Sequence, residues 1–195
     1  YTEQDVNITN AGPQAANSQF QVSTNSVNIR SVPTEIMIFA KQRTADQTYA
    51  SSDAFARLDA INISFAGRNG LLSSATGHQL WEISAKNGCL QSWQQWYGFQ
   101  GSVFVVRPAR DLSLESGLCA GIANQTSTLQ LNATFTDLSG VQMNYDVFTV
   151  VYYDGVMTLS NAGDCQVQTT NLFTKEQAVL LASDAVVDTP VARGT

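Results

Sequence analysis

A chain of 195 residues, 44% of them hydrophobic, has enough apolar mass for one domain with a full core. Its formal charge of −6, with ten scattered Lys and Arg whose closest grouping is Lys41-Gln42-Arg43, argues against direct nucleic-acid binding, which needs clustered cations against phosphates. No apolar run approaches the roughly 20 residues that span a bilayer, no signal-peptide pattern is present, and the sequence opens on Tyr1 rather than Met, so a processed chain or part of a longer one is expected.

Residues 1–25 are polar, carry Gly12-Pro13, and read as an extended lead-in or interdomain linker. The folded unit is expected over 26–182. Its strands begin at Ser26 to Arg30, and Val32-Pro33 marks an edge or corner because proline cannot donate to a ladder. Glu35 to Lys41 is nearly continuously apolar, the pattern of a strand covered on both faces. Residues 44–57 form a polar excursion that predicts a long loop. Leu58 to Phe65 then alternates, with Ile61, Ile63 and Phe65 on one side and Asn62 and Ser64 on the other, until Gly67 and Gly70 interrupt it.

Thr76-Gly-His-Gln79 has capping-box spacing and predicts a short helix through Leu80, Trp81 and Ile83, closed by Asn87-Gly88. A Trp-rich loop follows, then an apolar strand from Ser102 to Arg107 ended by Pro108. The cleanest alternation runs from Leu129 to Thr136, with Leu129, Leu131, Ala133 and Phe135 inward. Phe148 to Tyr153 and Val156 to Leu159 flank Asp154-Gly155, a hairpin signal. A second capping box at Thr174 to Gln177 predicts a further helix, and 183–195 reads as a flexible C-terminal tail. Turn signals between successive strands predict an all-β chain, an eight-stranded two-sheet jelly roll with one or two short helices in its connecting loops.

Charged residues make up only 13% of the chain, about half the usual share, and Asn, Gln, Ser and Thr replace them. Such a surface suits close subunit contacts or life outside the cytoplasm. Three widely spaced cysteines, Cys89, Cys119 and Cys165, read as buried thiols, with one disulfide plus a free thiol as the other arrangement. Four Asn-x-Ser/Thr sequons begin at Asn7, Asn62, Asn124 and Asn132; two lie inside predicted strands and read as chance matches. Asp137, Asp146, Asp154 and Asp164 lie in or near loops, but their spacing carries no calcium-loop signature, so no metal and no cofactor is expected.

His78, the only histidine, sits on the first turn of a capped helix without an acidic or nucleophilic neighbour in sequence, and reads as a surface or packing residue. Neither Gly-x-Ser-x-Gly nor a Cys–His pairing exists, so no catalytic residue and no enzymatic activity is expected. Trp93, Trp96, Tyr97 and Phe99 have two readings: a sugar-stacking platform, or rings that fill the space under the loop and anchor a subunit contact. Arg107, Arg110 and Asp111, just beyond a strand, fix a corner by salt bridges, reach across an interface, or form a solvated turn.

In order, the Val32 to Ala40 strand, Ala60 to Phe65, Gly70 to Ser74, the helix ending Ile83 to Gly88, Trp93 to Trp96, Gly101-Ser102, Arg110 to Leu112, Leu129 to Leu131 and the Asp154-Gly155 turn form a recognisable series. The series resembles the C-terminal jelly roll of double-jelly-roll major capsid proteins of virophages and Polinton-like viruses, over about residues 26–182. The resemblance implies a structural component of an icosahedral virion, assembled inside a host cell as homotrimeric capsomers. It also implies contacts with neighbouring capsomers, penton and minor capsid proteins. Only one jelly roll is expected here, so the chain reads as the C-terminal part of a longer protein or as a single-jelly-roll vertex protein. An extracellular carbohydrate-binding jelly roll is the alternative outside this family. Related viruses cut capsid precursors after glycine, which makes Arg193-Gly194-Thr195 a candidate cleavage region.

Overall fold

The computed structural model describes residues 2–29, 33–49, 55–65, 67–112, 127–154, 156–159 and 165–168. Two antiparallel sheets, in a jelly-roll-like arrangement, carry nearly all of this structure. The first has four strands in the order β1 (Thr2–Gln14), β9 (Met143–Asp154), β4 (Glu35–Gln42), β7 (Val103–Val106). The second has five: β2 (Gln19–Ser23), β8 (Ser127–Thr136), β5 (Arg57–Phe65) and β6 (Arg68–Leu71), with β3 (Val27–Ile29) also on β8. Between β6 and β7 run helix α1 (Gly77–Lys86) and one π-helical turn, Gln95–Phe99; a four-residue helical turn, α2 (Pro108–Asp111), follows β7.

One core lies between the sheets. Ile36, Ile38, Phe104, Tyr145 and Val151 meet Phe20, Leu58, Ile63, Leu131 and Phe135, all buried. The Phe20 and Tyr145 rings stack across the gap at 5.4 Å. The alternation in β5 and β8 places their apolar residues here, as the sequence predicts, because a pleated strand sends successive side chains to opposite faces. Pro33, at the expected corner, lies where the chain leaves the five-stranded sheet for the four-stranded one.

Two expectations need correction. The segment 1–25 is extended but is no lead-in to the sandwich: from Thr2 onward it supplies β1, paired along its length with β9, and β2, paired with β8. Strands β9 and β10 also do not pair as the hairpin expected from the Asp154-Gly155 signal. Strand β9 has β1 on one side and β4 on the other, so neither edge remains for β10 (Val156–Leu159), which pairs with β11 (Cys165–Gln168) in a separate ribbon. The expected helix at 174–177, the tail 183–195, Cys119, Asn124, Gly155 and Asp164 lie outside the described residues.

The outward sides of the two sheets differ in chemistry. On the five-stranded sheet, Gln21, Ser23, Asn62, Ser64, Gln130 and Asn132 face outward, opposite in phase to the buried residues beside them. On the four-stranded sheet, register places Val6, Val150, Met37 and Val105 side by side in one outward row. A second row is Ile8, Phe148, Phe39 and Val103, in which Phe39 and Phe148 stack at 5.0 Å. Strand β1 is inverted relative to a lone amphipathic strand: Val6 and Ile8 point out, while Asp5, Asn7 and Thr9 stand opposite the buried Val151, Thr149 and Val147 on the core side. A β-bulge between Asn10 and Gly12, closed by the Gly12 N–H donating to Asn10 Oδ1 at 2.9 Å, sets that phase.

Candidate assembly surfaces

The Trp-rich loop is built on α1. Its start carries the predicted capping box: Gln79 N–H donates to the Thr76 hydroxyl, and Thr76 N–H donates to Gln79 Oε1. Its end is Asn87 followed by Gly88 at φ +99, the left-handed position a helix terminus uses. Helix α1 lies along the edge of the four-stranded sheet. Val105 N–H donates to Ser84 Oγ at 3.2 Å, and Asn87 Nδ2 donates to Val105 O at 3.0 Å. Helix side chains thereby satisfy groups that an edge strand otherwise offers to another chain.

Beyond the helix the rings stack upon one another. Trp96 is fully buried, while Trp93 stacks on Tyr97 at 4.7 Å and on Trp96 at 6.1 Å. His78 and Trp81 lie 5.0 and 5.9 Å from Trp93. The Arg57 guanidinium sits 4.3 Å from the Tyr97 ring centre. Tyr97 thus carries both the stacked Trp93 ring and the Arg57 guanidinium, and stays 40% exposed. Trp81 Nε1 donates to Gln91 O at 2.9 Å, and Ser102 Oγ donates to Trp96 O at 3.0 Å. Gly101, at φ +86, brings its backbone so close to Phe55 that a Cβ there would stand 2.5 Å from the Phe55 Cβ. Phe99, 72% exposed, His78 and to a lesser degree Tyr97 turn outward from this cluster. His78 does have an acidic neighbour: helical i,i+4 spacing brings Glu82 within 3.5 Å of its Nδ1.

The Arg-Asp turn is a locked corner. Asp111 Oδ2 accepts from the Arg107 N–H at 2.9 Å and from Asn87 Nδ2, while Arg110 Nε pairs with Asp111 Oδ1 at 3.0 Å. Burial raises the Asp111 pKa, but these hydrogen bonds and the Arg110 charge outweigh it and hold the carboxyl below its ordinary range. Arg107 reaches back to Glu35 at 3.3 Å. Of the acidic residues weighed for calcium, Asp137 is committed elsewhere. Almost fully buried, it accepts from the Tyr145 hydroxyl and from the Ser139 and Asn17 N–H groups, which closes one end of the sandwich. Asp146 accepts from Asn10 Nδ2 at 2.6 Å. No cluster of three or more metal-binding side chains occurs among the described residues. Cys89 is a free, half-buried thiol.

Comparison with known proteins places this architecture. The family described as Major capsid protein V20 C-terminal domain matches residues 3–100, half of the chain. The chain belongs to that family. Membership makes it a structural, non-enzymatic domain with its place in the virion capsid. A Sputnik virophage protein named as capsid protein V20 is 22% identical over 75% of this chain and 29% of its own length. The crystal structure of the mavirus major capsid protein superposes with a TM-score of 0.71 at 18% identity, over 92% of this chain and 43% of that one. A chain of the Sputnik virophage structure solved by cryo-EM gives 0.73 at 19% identity, over all of this chain and 42% of the other. At such identities these superpositions establish the fold. The chain spans less than half the length of each of these relatives.

The residues the sequence reading passed over are Val6 and Ile8. Their signal was there, apolar residues at alternate positions between polar ones, but in a segment too polar overall to be read as a strand.

Proposed function

We propose that the chain acts in a major capsid protein whose work is self-association into homotrimeric capsomers that tile an icosahedral shell. Neighbouring capsomers, penton and minor capsid proteins are its further partners. The observation that carries this reading is the family match joined to a sandwich in which Asp111, Asp137 and the Trp rings are engaged in holding the fold. Asp111 and Asp137 lock corners and the Trp rings pack on one another, leaving shape and buried area to do the work. Phe99 and the exposed heads of Arg107 and Arg110 are proposed contact residues, whereas Trp96 and Asp111 act inside the domain. Light scattering coupled to size-exclusion chromatography tests the proposal: a mass near three chains is expected, and a strict monomer up to high concentration overturns it.

A further inference from the structure

Resting on that reading, we infer that the outward side of the four-stranded sheet, led by edge strand β1, is the surface on which a second copy of this chain docks. The run from Glu35 to Gln42 is apolar enough to call for cover on both faces. The structure covers one: Ile36, Ile38 and Ala40 have no exposure, while Met37 and Phe39 between them are only half-buried. The two outward rows are protected at the α1 end, where Val105 is 4% exposed, and open at the other, where Val6 and Ile8 are 52% and 56% exposed. The bulge holds β1 in the phase that turns these two side chains away from the core, although the opposite phase would satisfy a solitary domain.

Charge identifies the occupant. Copies of a chain with net charge −6 repel one another unless they meet over a neutral surface. Here the charges at the borders of the face come in opposite pairs, Glu35 with Arg107 at one end and Asp146 opposite Lys41 at the other. A cationic partner would gain nothing on such a surface, whereas a like-charged copy loses nothing. Size agrees: β1, β9 and β4 over about eight residues each and the four-residue β7, with strands about 4.8 Å apart, span roughly 450 Å² of flat face, on the scale of the ~800 Å² each partner contributes to a standard interface.

The test uses the whole chain in sedimentation velocity, with Val6→Asp and Ile8→Asp on this face and Gln21→Asp on the other sheet as control. The exposed β1 variants are expected to weaken self-association by about 30-fold or more, with circular dichroism unchanged, while Gln21→Asp assembles like the parent. The double variant Val6→Thr/Ile8→Thr, which keeps strand propensity and shape, is expected to weaken assembly in the same direction by a smaller factor. Assembly unaffected by either folded set overturns this assignment of the face and leaves the capsid reading standing. A parent chain that never self-associates overturns both.

Discussion

Between them the two sheets bury one core, yet their far sides follow opposite rules. The five-stranded sheet alternates in the manner of a sheet with water behind it, apolar inward and Gln, Asn, Ser and Thr outward. The outward side of the four-stranded sheet is apolar as well, in two rows that cross all four strands. The contrast teaches that a strand's composition reports every surface it will touch, including surfaces its own chain does not provide. Its two edges differ as well: α1 closes the β7 edge through Ser84 and Asn87, while β1 is the outermost strand on the other side.

The largest effects should come where the sheets are alike. Ile38→Ala in the four-stranded sheet and Ile63→Ala in the five-stranded one both empty fully buried positions, and each is expected to lower unfolding free energy by about 2–5 kcal/mol. Denaturant titration measures this, and a negligible loss in either sheet would break the picture of one shared core. Next in size is the helix-capped edge. Ser84→Ala strands the Val105 N–H in a buried position and is expected to cost about 1–3 kcal/mol, with faster hydrogen exchange along β7 than along β8.

A pH series sharpens the comparison at the seam between the sheets. Burial raises the Asp137 pKa, but hydrogen bonds from Tyr145, Ser139 and Asn17 more than reverse this, so the folded-state value lies below the ordinary one. Asp137 therefore contributes stability that is fully present above the unfolded-state pKa and is lost as pH falls through the folded one. The melting temperature should drop on acidification below about pH 4, and Asp137→Asn should flatten that limb. Equal slopes in the two proteins would remove Asp137 from the account. The smallest effect is expected on the polar far side, where Thr134→Lys should change stability by no more than about 0.5 kcal/mol.

Much of this was legible from residues alone because it rests on local rules. The alternation in β5 and β8, the Thr76 capping box and the Asn87-Gly88 terminus each need only a few neighbouring residues to declare themselves. What escaped depended on partners distant in sequence. Strand β1 is stabilised by pairing with residues 143–154, and nothing within 1–25 announces that pairing. The expected β9–β10 hairpin does not form for the converse reason: β1 and β4 hold both edges of β9. The Trp loop was foreseen as a cluster, but the Arg57 contribution was not, because Arg57 lies 40 residues before Tyr97 and meets it only through β5.

The bulge at Asn10–Gly12 has a consequence for how such a domain could change its company. It is a frame shift in space: even-numbered residues face outward before it, and Gly12 and Gln14 face inward after it. Were the bulge flattened, with Ala11 taking a place in the ladder while Gly12 and Gln14 kept theirs, the whole leading half of the strand would rotate by one pleat, hiding Val6 and Ile8 and presenting Glu3, Asp5 and Asn7 to the outside. A sociable surface and a solitary one are thus separated by one bulge, with no substitution in the core.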